Sequence, residues 1–425
     1  MGLFVSLLEW NRFVTPASLP NEPARLSLPY RGLAPFLRMS IAGIDMRPLT
    51  QAMLAKAGDY PDDADFWMSL ATLSMATGYR DPGLSIQGQA LELSRIYRIA
   101  AAEQPPRLTI LLLMTDGDLA ANTPLDCLLE NSDIELIQYY LSPQHWFEAP
   151  LPDHDVVMVA MGESDDNREM LNALDELLPT WPRPVLNLSS AIPNVGRVRA
   201  SELLQGVPGL LMPPTFAIAR AQLAAIAAGQ QTLTDELGDC EFPIIIRPVG
   251  SHGGHDLERI ANAAELAAYL QRVPVDALFV SRFIDYSGQD GQFRKARIAL
   301  VAGEPYVCHM AVSSHWMVHY VNAGMYEEAA KREEEGRFMD DFPAFVARHR
   351  AALDAIAQRA GLDYVCIDCA ETQDGQLLVF EIDHAMVVHA MDLESMFPYK
   401  QAHIAKVRDA FRLMAMRKAG WPRGL

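Results

Sequence analysis

A chain of 425 residues is long enough for two or three domains with a sizeable core, and a composition half hydrophobic and 21% charged is that of an ordinary globular protein. A formal net charge of −19 argues against wrapping nucleic acid or lying on an anionic membrane, so any anionic ligand has to be held by a local basic cluster. Five cysteines at irregular positions (127, 240, 308, 366 and 369) point to reduced thiols in a cytosol-like compartment.

No stretch approaches the ~20 apolar residues of a membrane span. The opening GLFVSLLEW lacks the basic flank and small-residue cleavage site of a signal peptide, so a cytoplasmic protein is expected. Met-Gly-Leu-Phe-Val-Ser fits the short myristoylation pattern, which is too common by chance to carry weight.

In chain order, residues 1 to about 40 are punctuated by Pro16, Pro20, Pro23, Pro29 and Pro35 and predict an extended arm. From about 46 to 104 helical patterns dominate, DADFWMSLATLSMATGY and LSIQGQALELSRIYRIAAA, separated by a break at Asp81-Pro82-Gly83. Together residues 1–105 form a proline-rich arm and a helical region of tetratricopeptide flavour. A single such pair is also simply a helical packing unit, since stacked repeats need about three copies. Over 106–200 the runs RLTILLLMT, IELIQYYL, DVVMVAM and PVLNLSS alternate with helical segments such as NREMLNALDELL, which predicts a parallel α/β sheet.

The third region, 201–425, opens with a helix at SELLQG and a strand FPIIIRP. That strand ends in Arg247 and runs into a loop with Gly250, Ser251, His252, Gly253 and Gly254. Glycine lets backbone N–H groups approach an anion, and a strand-borne arginine beside such a loop suits polyphosphate. A surface turn explains the same glycines, and the G-K-[ST] ending of a P-loop is missing. A helix NAAELAAYLQ, a strand LFVSRFI and a strand RIALVAGEPYVCHMAV follow, with a glutamate-rich loop at 327–337, a helix FVARHRAALDAIAQRAG and a last helix at about 400–418. FRKAR at 293–297 concentrates cations, and strand alternation puts Lys295 and Arg297 on one face. A solvated strand edge is the alternative for these cations.

CIDCAETQDGQLLVFEID, residues 366–383, reads as two strands around Asp374-Gly375, the strongest short hairpin signal. If Gln373 closes a two-residue loop against Gln376, Asp368 falls opposite Glu381 and Cys366 opposite Asp383. Asp368, Glu381 and Asp383 then share one face, and Ile367, Leu378, Phe380 and Ile382 the other. Facing carboxylates repel, and a hard cation among all-oxygen ligands, Mg²⁺ or Mn²⁺, would reconcile them. A register one residue out, or a hydrated sheet face, accounts for the pattern equally well. Cys366 and Cys369 point to opposite faces of a strand, so a C-x-x-C redox or zinc role is not expected.

This order of elements resembles the ATP-grasp superfamily of carboxylate–amine ligases, typified by glutathione synthetase and D-alanine–D-alanine ligase. Within it the chain is most similar to a bacterial subgroup with tetratricopeptide-like helices. The resemblance spans about 106–420. It implies an α/β (α+β) fold in which a helical amino-terminal region and a pre-ATP-grasp parallel domain precede a two-lobed ATP-grasp domain. It further implies ATP and Mg²⁺ (or Mn²⁺) as cofactors, with Arg247 in place of a phosphate-binding lysine and 250–255 as a loop over the phosphates. Phe279, Val280, Arg282, Phe283 and Ile284 would lie on the hinge strand against adenine. Arg199 would be a further nucleotide contact, Arg297 would stand near the transferred phosphate, and Asp368, Glu381 and Asp383 would be the metal carboxylates. His315, His319, Tyr320 and Asn322 in SSHWMVHYVNAGM would enter the site, with Lys295, His315 and Asn322 counted beside Arg297 among the catalytic groups. Three positions depart from the pattern: Arg282 replaces a hinge glutamate, Lys295 an acidic residue and Asp383 an asparagine.

The activity so implied is ADP-forming ligation of an amino-acid or peptide carboxylate to an amine through an acylphosphate. The alternatives are an ATP-binding scaffold without turnover, or phosphotransfer to another acceptor. Small-molecule or peptide substrates are the implied partners, nucleic acid and membrane are not, and a homodimer is compatible with the sequence.

Overall fold

The computed structural model describes residues 29–251 and 254–422. Most of the arm expected over 1–40 lies outside them, as do His252 and Gly253. The chain is already helical from Ala34, with Pro35 in a first turn where a missing N–H leaves no bond unmade.

Helices Ala34–Ile41, Arg47–Lys56, Ala64–Ala76 and Arg80–Leu93 form the amino-terminal unit. Asp81-Pro82-Gly83 does not break the last of these but makes its first turn. Proline is tolerated there because the first N–H groups have no intrahelical acceptor. Gly83 has a packing reason: a β-carbon on it would stand 3.1 Å from the Ala71 carbonyl oxygen. The helical reading also overran at its end. Residues Ile96–Ile99 are a strand (β1), whose alternate burial suits a sheet edge.

β1 joins β2 (Leu108–Met114), β3 (Ile134–Tyr140), β4 (Val156–Val159) and β5 (Val185–Leu186) in the order β1-β3-β2-β4-β5. β2 to β5 are parallel, as the near-continuous apolar runs predict, and β1 is the antiparallel edge. Leu111 and Leu113 look into one core cluster while Ile110 and Leu112 look into another, so both faces are covered.

Beyond a short strand β6 (Leu210–Leu211) lie β7 (Thr215–Ala219), β8 (Ile244–Pro248), β9 (Glu258–Ile260) and β10 (Ala277–Arg282). The last four make an antiparallel sheet in the order β7-β10-β8-β9, packed on helices Arg220–Ala227 and Ala263–Arg272. The third sheet has the order β12-β11-β13-β14-β6, with β11 (Phe293–Val301), β12 (Glu304–Ser313), β13 (Tyr364–Glu371) and β14 (Leu377–Asp383). The single strand expected around RIALVAGEPYVCHMAV is in fact a hairpin. Ala302 and Gly303, at φ 50° and 82°, form its two-residue turn. The glutamate-rich stretch is helical, Ala329–Asp340, because Phe338 and Met339 give it an apolar side to bury. Helices Phe342–Ala360 and Lys400–Lys418 complete the lobe. Among the described residues no helix is long and apolar enough to cross a membrane.

Candidate active site

The acidic hairpin has the expected pairing, Asp368 opposite Glu381 and Cys366 opposite Asp383, by a different route. Its loop holds three residues rather than two: Thr372 and Gln376 close it, and Gly375 takes φ 80°. The extra loop residue shifts the pairing by one as far as Cys369–Val379, and a bulge at Phe380 then shifts it back. Only the acidic end therefore keeps the register of a two-residue turn. The bulge also corrects the expected apolar face. Leu378 stands opposite Ala370, on the carboxylate side, and Phe380 packs beside it, while Ile367, Val379 and Ile382 line the far side.

β11 lies between β12 and β13, which brings the FRKAR cations onto Asp368. Asp368 is 2% exposed. Arg297 Nε donates to its Oδ1 at 2.8 Å and Arg297 Nη2 to Oδ2 at 3.1 Å, and Lys295 Nζ stands 2.8 Å from Oδ2. Burial alone would raise the Asp368 carboxyl, but Arg297 and then Lys295 outweigh it and hold the group well below the usual carboxylate range. Arg297 Nη1 donates to the Val387 carbonyl at 3.0 Å, so each end of this guanidinium is occupied. Arg294 points to the other face and pairs with Asp290 and Glu334.

Glu381 pairs with Arg197, at the start of helix Arg197–Leu203. The expected contact Arg199 is exposed on that helix. Two residues along a helix is about 200° of rotation, enough to move a side chain to the opposite side. Asp383 accepts from the Ala385 N–H at 2.8 Å, and burial pushes its carboxyl upward, with Glu381 adding to the shift and His384 opposing it. Glu163, from the loop after β4, is a group the sequence did not single out. Burial raises its carboxyl, and Asp383 and Arg197 both lie within its electrostatic reach. Its carboxylate would meet a β-carbon on Gly196 at 3.0 Å, so glycine before Arg197 lets the two approach.

On the antiparallel sheet, Arg247 is the penultimate residue of β8, 8% exposed. It bonds Ser251, Nε to Oγ at 3.0 Å and Nη2 to the backbone carbonyl. Among the described residues it has no acidic partner at ion-pair distance: Glu258 pairs with Arg272, and Asp256 with His255. Burial pushes its guanidinium down to about 10; Arg197 adds to this and Glu381 opposes it. Gly250 and Gly254 sit at φ 75° and 77°, and the Gly254 position is within 3.7 Å of Met317 Sδ, so this loop meets the 314–319 loop.

Phe279 lies directly opposite Arg247 in register and shares its face, whereas Val280 points into the lobe core. Arg282 is exposed. Phe283 carries the Arg259 guanidinium 4.7 Å over its ring and meets Trp316 edge-on at 5.8 Å. Ile284 joins an apolar wall with Leu211, Tyr286, Leu378 and Phe380 next to the carboxylates. His315 is exposed and accepts from the Met317 N–H at 3.2 Å. Asn322 is likewise exposed and caps its own turn, accepting from the His319 N–H at 3.0 Å. His319 is exposed by surface area too, but its ring is partly desolvated, and that, then Lys295 and Arg297, hold its imidazole low. Tyr320 instead belongs to a buried network with Glu335, Asp392 and Lys400.

Among the described residues no group of three or more His, Cys, Asp or Glu side chains is placed to hold a metal ion together. The expected trio is divided: Asp368 is committed to two cations, which leaves Glu381 and Asp383. A groove of about 690 Å³ opens elsewhere, on the opposite face of β11 and β12, lined by Arg294, Met310, Glu334, Phe338 and Arg348. Two of its three cations are already paired, Arg294 with Asp290 and Glu334 and Arg348 with Glu371 at 3.0 Å, and it lies away from Asp368, Glu381 and Asp383, so the carboxylate face is the better candidate.

The chain is similar in fold to ATP-grasp ligases. A D-alanine–D-alanine ligase from Bacillus anthracis, complexed with ATP, matches 74% of this chain and 98% of its own, at 15% identity and a TM-score of 0.45. A RimK domain ATP-grasp protein from Sphaerobacter thermophilus matches 72% and 99%, at 16% identity and a TM-score of 0.40. The VanG D-Ala:D-Ser ligase from Enterococcus faecalis matches 72% and 99%, at 15% identity and a TM-score of 0.44. At these values the likeness assigns no residue. No protein-family profile and no curated protein matches the chain.

Proposed function

We propose that the protein is an ATP-dependent ligase joining the carboxylate of an amino acid or peptide to an amine, with ADP and phosphate as products. The observation that carries this is Arg247, a buried cation with no acidic partner at ion-pair distance among the described residues, on β8 just before the glycine loop and within electrostatic reach of Glu381. A buried cation of that kind fits polyphosphate oxygens. The apolar wall of Leu211, Ile284, Leu378 and Phe380 offers a surface for a flat base.

In this reading the substrate carboxylate attacks the γ-phosphorus of ATP and ADP leaves. The amine then attacks the acyl carbon of the acylphosphate, phosphate leaves, and the amine gives up a proton. Arg247 holds phosphate oxygens at the loop, and Lys295, whose Nζ has donors left over from Asp368, meets the incoming carboxylate. His319 stands near Lys295 and Arg297, whose charges add to desolvation in disfavouring a proton on its ring. Glu381 and Asp383 fit a hard divalent cation, which when bound supplies charge neutralisation between triphosphate and carboxylate.

A second reading, an ATP-binding scaffold without turnover, is favoured by the double clamp on Asp368. Release of ADP and phosphate with pooled amino acids separates the two, and a mass-spectrometric product screen names the substrates. Nucleotide bound with no turnover across a broad pool would favour the scaffold.

Two substitutions test the site itself. Arg247→Met is expected to weaken ATP binding by roughly 1.5–3 kcal/mol, the scale of a charge-assisted hydrogen bond. Stability without nucleotide should stay level or rise, because a desolvated charge is removed. Calorimetry of the free and nucleotide-bound variant reads both, and a loss of free-state stability with normal ATP binding would assign Arg247 a purely structural role. Arg197→Ala and Arg199→Ala form the second test. The exposed Arg199 should be silent, within about 0.5 kcal/mol in stability, and ATP titration should detect only the Arg197 change. Equal effects from both would remove Arg197 from the site.

A further inference from the structure

We infer that this site takes a single divalent cation, at Glu381 and Asp383, because the Lys295 ammonium occupies the cation position at Asp368. Of the functional reading above, it rests only on the carboxylate face of β13 and β14 as a cation site.

Three carboxylates share that face, and their counter-charges are unevenly divided. Asp368 receives three hydrogen bonds from two cations, Arg297 through Nε and Nη2 and Lys295 through Nζ at 2.8 Å. That end carries one excess positive charge. A divalent ion brought to it meets repulsion from both cations in proportion to its own two charges. Lys295 does not step aside without cost: its side chain is 23% exposed, and leaving Asp368 gives up a charge-assisted bond to a buried carboxylate, although Arg297 would keep that carboxylate paired.

The other end has the opposite balance. Among the described residues Glu381 has one cation, Arg197, and Asp383 has no lysine or arginine at ion-pair distance and accepts the Ala385 N–H. A second observation points the same way. His384 is wholly buried, and its Nε2 faces the Met161 carbonyl oxygen at 2.8 Å. A carbonyl only accepts, so Nε2 carries the hydrogen and Nδ1 is a bare lone pair. That Nδ1 has no hydrogen-bond partner and stands 3.8 Å from Asp383 Oδ1. Two acceptors facing each other without a proton between them are a place for a positive ion, and no such arrangement exists at Asp368.

The experiment counts Mn²⁺ on the full-length protein by equilibrium dialysis and electron paramagnetic resonance, with and without a non-hydrolysable ATP analogue. The expected result is one Mn²⁺ per chain. Asp383→Asn should weaken it by about 100-fold or more, as for loss of a direct ligand, whereas Lys295→Met and Lys295→Gln should raise the count to two. Two ions on the unaltered protein, none, or one that survives Asp383→Asn would each overturn the inference. A count of one in both Lys295 variants would overturn the assignment of the ammonium to a cation position. Binding of the analogue in the presence of EDTA is measured separately. If the analogue does not bind while one Mn²⁺ does, the ligase reading fails and this inference stands.

Discussion

Glu381→Gln is expected to lower ATP-dependent turnover by about 100-fold or more, roughly 2.7 kcal/mol of transition-state stabilisation, in a protein that remains folded. Glutamine keeps the shape of the side chain and can still accept a bond from Arg197, so the structural cost is small. The pair is partly open to solvent, at 22% and 29% side-chain exposure, and its loss should destabilise by no more than about 1 kcal/mol. What glutamine removes is the charge. With Asp368 neutralised by Lys295 and Arg297, Glu381 and Asp383 are the carboxylates left to hold a cation beside the triphosphate. ADP release at saturating ATP and ordinary Mg²⁺, alongside a thermal melt, reads both quantities. Turnover equal to the unaltered protein would remove Glu381 from the chemistry.

That the three carboxylates share a face was legible in the sequence because strand alternation is a strict period. Asp368, Glu381 and Asp383 needed only a register, and the Asp-Gly turn suggested one. The register at the acidic end came out as expected only because the loop is one residue longer than a two-residue turn and the bulge at Phe380 compensates. Turn chemistry alone does not reveal a bulge, and so Leu378 and Phe380 were placed on the wrong face. Lys295 and Arg297 were likewise legible as a pair on one face. That they close on Asp368 was not, because it depends on β11 lying between β12 and β13, a long-range pairing that no local pattern encodes.

The remaining differences have the same origin. Arg197 and Arg199 are equivalent in composition, and only the start of the helix at Arg197 decides which one faces Glu381. Glu163 and Gly196 come from segments whose nearness to Asp383 is purely tertiary. At Asp81-Pro82-Gly83 and at Ile96–Ile99 the local signals themselves are ambiguous. Proline and glycine mark either a break or a first turn, and a four-residue run such as Ile-Tyr-Arg-Ile is as consistent with a helix end as with an edge strand.

Arg297→Met is expected to destabilise the protein by about 3 kcal/mol at neutral pH, near the lower end for breaking a buried ion pair. Lys295 stays on Asp368 and prevents the full penalty of an orphaned charge. The loss has a sign in pH. Asp368 is held below its ordinary value in the folded chain, so its pairing contributes stability above the unfolded carboxyl value of roughly 4 and loses it as pH falls toward the folded value. In the variant one of the two cations that lower it is gone, and burial moves the carboxyl upward. The stability gap between the two proteins should therefore be widest near neutral pH and should shrink, never grow, as pH falls below the variant's own folded carboxyl value toward that of the unaltered protein. Urea denaturation at pH 7 and pH 3.5 measures it. A gap that is absent at pH 7, or that is larger at pH 3.5 than at pH 7, would show that the pair is not what Arg297 contributes. The contrast with Arg247 follows from what each guanidinium touches. Arg297 is bound at both ends by the protein's own oxygens, whereas among the described residues Arg247 bonds Ser251 and has no acidic partner at ion-pair distance. Methionine should therefore be destabilising at 297 and neutral or stabilising at 247 when no nucleotide is present.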